Sequence, residues 1–417
     1  MEAVIIAVGS ELLTPARLDT NSLFLTERLA RRGVEVIRKI VVGDNLERIA
    51  AEIRRGREEA HIVIVTGGLG PTLDDLSREG AAAALGVGLV EQPELVAWLE
   101  ERFASFGRKM AANNRRQALI LEGAEPLPNP NGTAPGQYFA DGGGVLMLLP
   151  GPPREIKPMF TAECEPRLSR IHSPYQYSTV TLRVSGLGES DVDQRVGPIY
   201  SAESRADTTI LAGPGDIQLH VRGKAATADE ARQIAHAVAE KMAAELGDNV
   251  YAWEDKPLEA VVGDLLRERG LQLGLAESCT GGLIAERITD VPGSSEYFAG
   301  GFVSYSERAK VLWLGVSASL IAEHGMVSEP TARAMAERAR DHAGGPAGAV
   351  GVAVTGVAGP GPDAAGNPQG LVCMAVADEA DTVVFRREFR GGGRDRVRQL
   401  AAQYALDLLR RRLLGLV

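Results

Sequence analysis

Short apolar runs alternate with amphipathic stretches along the first third of the chain. Residues 3–8 form a β-rich apolar run, residues 21–32 carry apolar side chains at helical spacing, and residues 34–42 return to strand character. Asn45 suits the N-cap of a helix over 46–60, and the apolar run 61–65 leads straight into a glycine-rich loop at 66–75. Strands and helices alternating at this pace predict βαβ units and a mostly parallel sheet. Residues 145–149 supply one more strand, closed by Pro150-Gly151-Pro152-Pro153-Arg154-Glu155, and a first domain of residues 1–170 follows. Residues 171–252 read differently, with strands at 178–184 and 217–222 and helices at 189–199 and 228–246, a small α+β module. The third domain, 253–417, opens with Leu258, Val261, Val262, Leu265 and Leu266 on one helical stripe. Strands are then predicted at 271–276, 349–355, 371–377 and 382–389, and a last helix presents Val397, Leu400, Tyr404 and Leu408 on one face.

Composition sharpens this picture. The chain has 417 residues with 45% hydrophobic and 24% charged side chains, a mix that excludes wholesale disorder, collagen and coiled coil. Its 48 glycines and 22 prolines against 5% aromatics point to many glycine-lined loops. A net charge of −10 gives the whole chain no polycationic footprint for a nucleic acid or an anionic membrane surface. Residues 172–250 carry seven Lys and Arg against eleven Asp and Glu and contain no GxxG, so nucleic acid is not an expected partner there either. Cys164, Cys279 and Cys373 are far apart, with no spacing that builds a zinc site, and fit a reducing compartment. Position 2 is acidic, no basic leader precedes the first apolar run, and no run reaches the roughly 18 residues of a membrane span. A cytoplasmic protein without membrane attachment is expected.

Two segments could carry chemistry. In the first, Gly67, Gly68 and Gly70 sit where a strand gives way to a helix, so main-chain N–H groups can approach a phosphate. Thr72 follows, and Asp74 and Asp75 could hold a hard divalent cation such as Mg²⁺ bridging phosphates. The plainer alternative is a tight turn with an aspartate helix cap. Gly9-Ser10-Glu11-Leu12-Leu13, Asp19-Thr20-Asn21 and Asn129-Pro130-Asn131-Gly132-Thr133-Ala134-Pro135-Gly136 could converge on the same anionic ligand, or be ordinary surface turns.

The second segment is Ala276-Glu277-Ser278-Cys279-Thr280-Gly281-Gly282, again at a strand end opening a helix. A nucleophile there would have main-chain N–H groups beside it for an oxyanion. Histidine is scarce downstream, and after Lys256 the only lysine is Lys310, so a Ser–Lys pair is the available route to an activated serine. The competing reading makes Lys310 a solvated helix residue and Ser278 a cap.

The N-terminal motifs resemble the molybdopterin-binding fold of the MoaB and MogA proteins. In their order they resemble still more closely the N-terminal domain of the CinA family, with Ser77 where Thr is usual and Pro152 where Val is usual. Lys310 and its neighbours, with 276–282, 289–298, 325–328 and 355–360, resemble the CinA C-terminal nicotinamide mononucleotide deamidase domain, and 171–252 looks like the family's KH-like domain. Glu307-Arg308, Met326, Asn367 and the Gly391-Gly392-Gly393-Arg394 segment depart from the family pattern. The resemblance implies Ser278 as nucleophile, Lys310 as base and Tyr305 as their companion. It also implies Thr355 with Gly356, Arg394 and the Thr280, Gly281 and Gly282 loop as substrate-binding groups, with the main-chain N–H groups of that loop receiving the oxyanion. It further implies metal-dependent ADP-ribose pyrophosphatase activity in the first domain, and a homodimer. Two rival readings remain: a pterin-binding N-terminal module without hydrolysis, and an interaction protein of competence or recombination.

Overall fold

The computed structural model describes residues 1–170 and 175–417, so the domain boundary expected at residue 170 adjoins 171–174, outside the described residues. The chain divides into two compact units, Met1–Ser178 with Lys224–Ala231, and Thr179–Gly223 with Arg232–Val417. The three-part α/β architecture is that of a molybdopterin-binding-type domain, a KH-like module and a C-terminal α/β domain.

In the first unit a six-stranded sheet has the order Glu35–Val42, Glu2–Val8, Ile62–Thr66, Gly144–Leu149, Gly136–Asp141 and Glu125–Leu127. The first four strands are parallel and the last two add antiparallel. Alternation along the strands makes two cores. Ile5, Ile64 and Met147 face Leu25, Leu29 and Phe160 on one side, while Ile6, Val65 and Leu148 face Ile49 and Ile53 on the other. The helix expected after the glycine-rich loop is Ser77–Leu85, while the sequence reading missed the strand Gly136–Asp141 and the helix Pro93–Ser105.

The KH-like sheet has the order Ala206–Gly213, Asp216–Ala225, Gln176–Ser185 and Val250–Ala252, with the helices Glu189–Ser201 and Ala228–Leu246. The C-terminal sheet runs Phe298–Val303, Gln272–Glu277, Ala349–Gly356, Leu371–Ala377 and Thr382–Glu388. Its first three strands are parallel and its last two antiparallel. In both larger sheets the chain leaves an early strand toward one edge and then returns to its other side. That reversal opens a crevice beyond the carboxyl ends of the two strands concerned, the usual ligand position in open α/β sheets. The strand pairs are Glu2–Val8 with Ile62–Thr66, and Gln272–Glu277 with Ala349–Gly356.

The two faces of the C-terminal sheet are built from different sizes of side chain. Branched residues such as Leu275, Val352 and Val376 pack under Leu258, Val262 and Leu409, whereas the opposite face is largely Gly and Ala. Gly274 and Gly351 lie side by side in register. A Cβ on Gly351 would stand 1.9 Å from the Ala336 carbonyl oxygen, and one on Gly274 2.1 Å from that of Ala339. The helix Glu329–Ala343 can therefore lie on this face only because both positions lack a side chain. Gly351→Ala should destabilise the second unit by at least about 1–3 kcal/mol, because main-chain atoms must move to admit the methyl. A lowered urea midpoint checks this, and an unchanged midpoint would show that the helix rides higher than described.

Candidate functional site

Strand Gln272–Glu277 delivers Ser278 to the crevice of the C-terminal sheet, and strand Ala349–Gly356 delivers Thr355 and Gly356 beside it. The cavity there is about 260 Å³ and is lined by Ser278, Tyr305, Lys310, Thr355, Gly356 and Arg394, with Met326 and Val357 among its apolar neighbours. Six residues separated by more than 110 positions in sequence are thus brought to one pocket.

Lys310 lies on the short helix Glu307–Leu312, which Ser306 caps by accepting the Ala309 N–H. The surface-helix alternative for Lys310 fails, because the side chain is only 1% exposed. Its Nζ donates to Ser278 Oγ at 3.0 Å and to the Ser304 carbonyl at 2.7 Å, and among the described residues no carboxylate pairs with it. Burial penalises the ammonium and pulls the pKa down to about 8. The neighbouring Cys279 is also buried, and burial pushes its thiol up to about 12, so it stays protonated and poorly nucleophilic at neutral pH.

The main chain around Ser278 is almost fully committed. Ser278 N–H donates to the Val354 carbonyl, Gly281 N–H to the Ser278 carbonyl and Leu283 N–H to the Thr280 carbonyl. The Glu277 carboxylate, 2% exposed, accepts from the amides of Gly282 at 2.9 Å, Ile284 at 3.2 Å and Ala285 at 2.9 Å. Only the Cys279 and Thr280 amides in this stretch meet no oxygen acceptor among the described residues; both approach the Cys279 sulfur, a weak acceptor. The expected oxyanion groups at 280–282 are corrected accordingly. The N–H groups of Gly281 and Gly282 are already used, which leaves the amide of Cys279, a residue that lines the cavity, and the amide of the fully buried Thr280 next to it, which does not line it.

The remaining candidates occupy distinct places. Tyr305 is 56% exposed and accepts from Arg394 Nη2 at 2.7 Å, while Arg394 Nη1 donates to the Gly359 carbonyl at 2.8 Å. Since Lys310 meets Ser278 directly, Tyr305 is not needed between them. Thr355 is buried and donates its hydroxyl to the Met326 carbonyl at 2.8 Å, fixing the loop over the cavity.

In the first unit, the crevice between strands Glu2–Val8 and Ile62–Thr66 opens into a cavity of about 580 Å³. Asn21, Gly67, Gly68, Gly70, Asp74 and Asp75 all line it, whereas Thr72 does not. Gly67 has φ +91°, and a Cβ there would stand 2.2 Å from the Val8 carbonyl oxygen, so the loop can cross the first strand only as glycine. Asn21 Nδ2 donates to the Gly151 carbonyl at 2.6 Å and leaves its buried Oδ1 without a partner.

Arg78, which sequence reasoning missed, holds this loop from behind. It is 1% exposed and donates to the carbonyls of Leu69 at 2.7 Å and Gly70 at 2.8 Å, while the Ser77 hydroxyl donates to that of Gly67. With those carbonyls tied, the amides of Gly68, Leu69 and Gly70 hold no acceptor among the described residues. Nothing in the sequence around Arg78 distinguishes it from a surface arginine.

The acidic pair is split by its partners. Thr72 donates its N–H and hydroxyl to Asp75, and Asp74, exposed at the rim, is held below the ordinary carboxylate range by Thr72 and its own N–H. No group of three or more His, Cys, Asp or Glu side chains able to hold a metal lies among the described residues. The donor set still fits Mg²⁺, which commonly takes one or two carboxylates together with ligand phosphates.

Residues 255–413 match the family model described as the CinA C-terminal domain, residues 4–170 that of a "Probable molybdopterin binding domain", and residues 179–252 the damage-inducible protein CinA KH domain. A CinA-like protein of Solibacter usitatus is 48% identical over 415 residues, spanning 100% of this chain and 99% of its own. The chain belongs to the CinA family. Another CinA-like family member, from Koribacter versatilis, is 47% identical over 99% of this chain and 100% of its own. A solved family structure, CinA from Thermoplasma acidophilum, is 33% identical over 40% of this chain and 99% of its own, with a TM-score of 0.38. No helix among the described residues is long and apolar enough to cross a membrane.

Proposed function

We propose that the C-terminal domain hydrolyses the carboxamide of nicotinamide mononucleotide to nicotinate mononucleotide and ammonia, a step of pyridine-nucleotide recycling. The observation that carries this reading is the buried Lys310 Nζ at 3.0 Å from Ser278 Oγ. Neutral Lys310 takes the Ser278 proton as Oγ attacks the amide carbon, and the carbonyl oxygen gains its negative charge against the Cys279 and Thr280 amides. Lys310 returns that proton to the leaving nitrogen, ammonia departs, and water then cleaves the acyl ester with Lys310 as base again. Arg394 and Tyr305, at the exposed side of the cavity, suit the substrate's phosphate end.

For the first domain we propose hydrolysis of the ADP-ribose pyrophosphate to AMP and ribose 5-phosphate. The free amides of Gly68, Leu69 and Gly70 support an anionic ligand, and Asp74 would hold a divalent cation whose role is to neutralise pyrophosphate charge. A pterin bound without hydrolysis is the alternative that the same cradle admits.

Ser278→Ala should lower ammonia release at least about a thousandfold while Cys279→Ala retains it, and the reverse pattern would transfer the nucleophile to the thiol. Lys310 must be neutral to act, so with a pKa of about 8 only about a tenth is competent at pH 7 and kcat should rise with pH until it levels above 8. Lys310→Arg should lose about a hundredfold or more in kcat, because guanidinium keeps its proton; an arginine enzyme with near-normal kcat would reduce Lys310 to a fixed charge. In the first domain, Asp74→Asn should weaken metal-dependent turnover of ADP-ribose at least about tenfold and leave ammonia release unchanged. An unaltered metal requirement in that variant would remove Asp74 from the cation site.

A further inference from the structure

Glu277 does not line the cavity, yet its carboxylate takes three main-chain amides from the segment that carries the nucleophile. After Ser278, Cys279 and Thr280 come two successive left-handed residues, Gly281 at φ +64° and Gly282 at φ +95°, and then the helix Leu283–Thr289. Such a turn has little stiffness of its own. It is held instead by opposite charges on its two kinds of main-chain group. Glu277 takes the amides of Gly282, Ile284 and Ala285, and Arg398 donates Nε and Nη2 to the Thr280 carbonyl at 3.2 and 2.9 Å.

We propose that Glu277 is the positioning residue of this centre, fixing the turn so that the Cys279 and Thr280 amides beside Ser278 meet only the weakly accepting Cys279 sulfur and no oxygen. Adjacent N–H groups in buried residues, here 4% and 0% exposed, normally find acceptors. That these two meet only a thiol sulfur must be imposed by neighbours whose own bonds allow no other turn. The same carboxylate occupies the first amides of the helix, so that helix offers no N–H to a substrate anion, and charge is stabilised at 279 and 280 alone. Glu277 therefore acts on the developing oxyanion through the main chain and not on the bound substrate.

This inference rests on Ser278 attacking a carboxamide, and its test includes a readout that does not need that substrate. In the full chain, Glu277→Gln replaces one accepting oxygen by an amino group that cannot accept an N–H. We expect kcat for ammonia release to fall about tenfold to a hundredfold. KM and the Kd of nicotinate mononucleotide should move by less than about threefold, the signature of an interaction felt in the transition state only. A fluorophosphonate reports the same groups independently. Ser278 Oγ bonds to phosphorus, fluoride leaves, the proton passes to Lys310, and the phosphoryl oxygen occupies the oxyanion position. Its labelling rate should fall in parallel with kcat. If the glutamine variant does not fold, Glu277→Asp keeps the charge but withdraws it by one methylene, and a smaller loss in the same two rates is expected. A residue that only capped the helix would lower the melting temperature and leave both rates per folded molecule unchanged. Labelling and kcat within about twofold of the parental values, a parental protein that is not labelled at all, or an equal loss of product affinity would overturn the proposal. Absence of ammonia release from the parental protein would overturn the deamidase reading alone, since the labelling comparison would still decide the role of Glu277.

Discussion

An amine buried without a counter-charge is the constraint on which the C-terminal site depends. Lys310 Nζ has two oxygen partners, Ser278 Oγ and the Ser304 carbonyl, and neither carries a formal charge. A carboxylate in reach would stabilise the ammonium and return the pKa toward its ordinary value; its absence among the described groups around Nζ lets desolvation dominate. The cost of that burial is carried by the surrounding core, in which Leu314, Val316, Ile321 and Met335 pack under the segment bearing the lysine. Admitting water around Nζ would restore the charge, whereas removing the Ser304 carbonyl, an acceptor that favours the ammonium, would lower the pKa further.

The two crevices solve the problem of ordering a glycine-rich loop with opposite charges. In the first unit a buried guanidinium, Arg78, ties loop carbonyls and leaves loop amides free. Such a set of free amides would suit a ligand that is already anionic. In the second unit a buried carboxylate, Glu277, ties three amides, main-chain carbonyls take three more, and those of Cys279 and Thr280 meet no oxygen among the described residues. Under the proposed reaction, that arrangement would suit a single oxygen whose charge appears only in the transition state. Similar sheets, similar reversals of strand order and similar glycine content therefore lead to different chemistry through the sign of one buried group.

Much of the fold was legible because strands of both large sheets are continuous apolar runs and their helices carry a regular stripe. The strand Phe298–Val303 escaped because its FAGGFV sequence is half small residues and its pattern is set by an edge position. Ser278 and Lys310 were legible as a pair by scarcity, one lysine being available in the last 160 positions. The partners of Glu277 and Arg78 were not legible. Glutamate before a serine and arginine early in a helix look the same whether buried or solvated, and only the packed backbone shows which main-chain groups they meet. The assignment of Gly281 and Gly282 as oxyanion donors failed for that reason: the amides exist, but a side chain five residues earlier had already claimed one of them.

The acidity of the first cavity bears on which ligand it can hold. Glu11, Asp19, Asp44, Asp74, Asp75 and Glu155 line it against only Arg17 and Arg154. Several of these acids are occupied by structure: Asp19 caps a helix through Ser22 N–H, Asp44 accepts from Ser10 N–H, and Glu155 accepts from Asn129 Nδ2. A hydrogen bond does not remove charge, however, so a pyrophosphate approaching the free amides of Gly68 to Gly70 meets a surplus of negative field. The amides supply partial positive charge at short range but cannot cancel several carboxylates. A divalent cation shared between Asp74 and the ligand would reverse the local sign where it matters, whereas a neutral ring system would need none. Dependence of binding on a divalent cation thus separates a phosphate-first ligand from a ring-first one in this pocket.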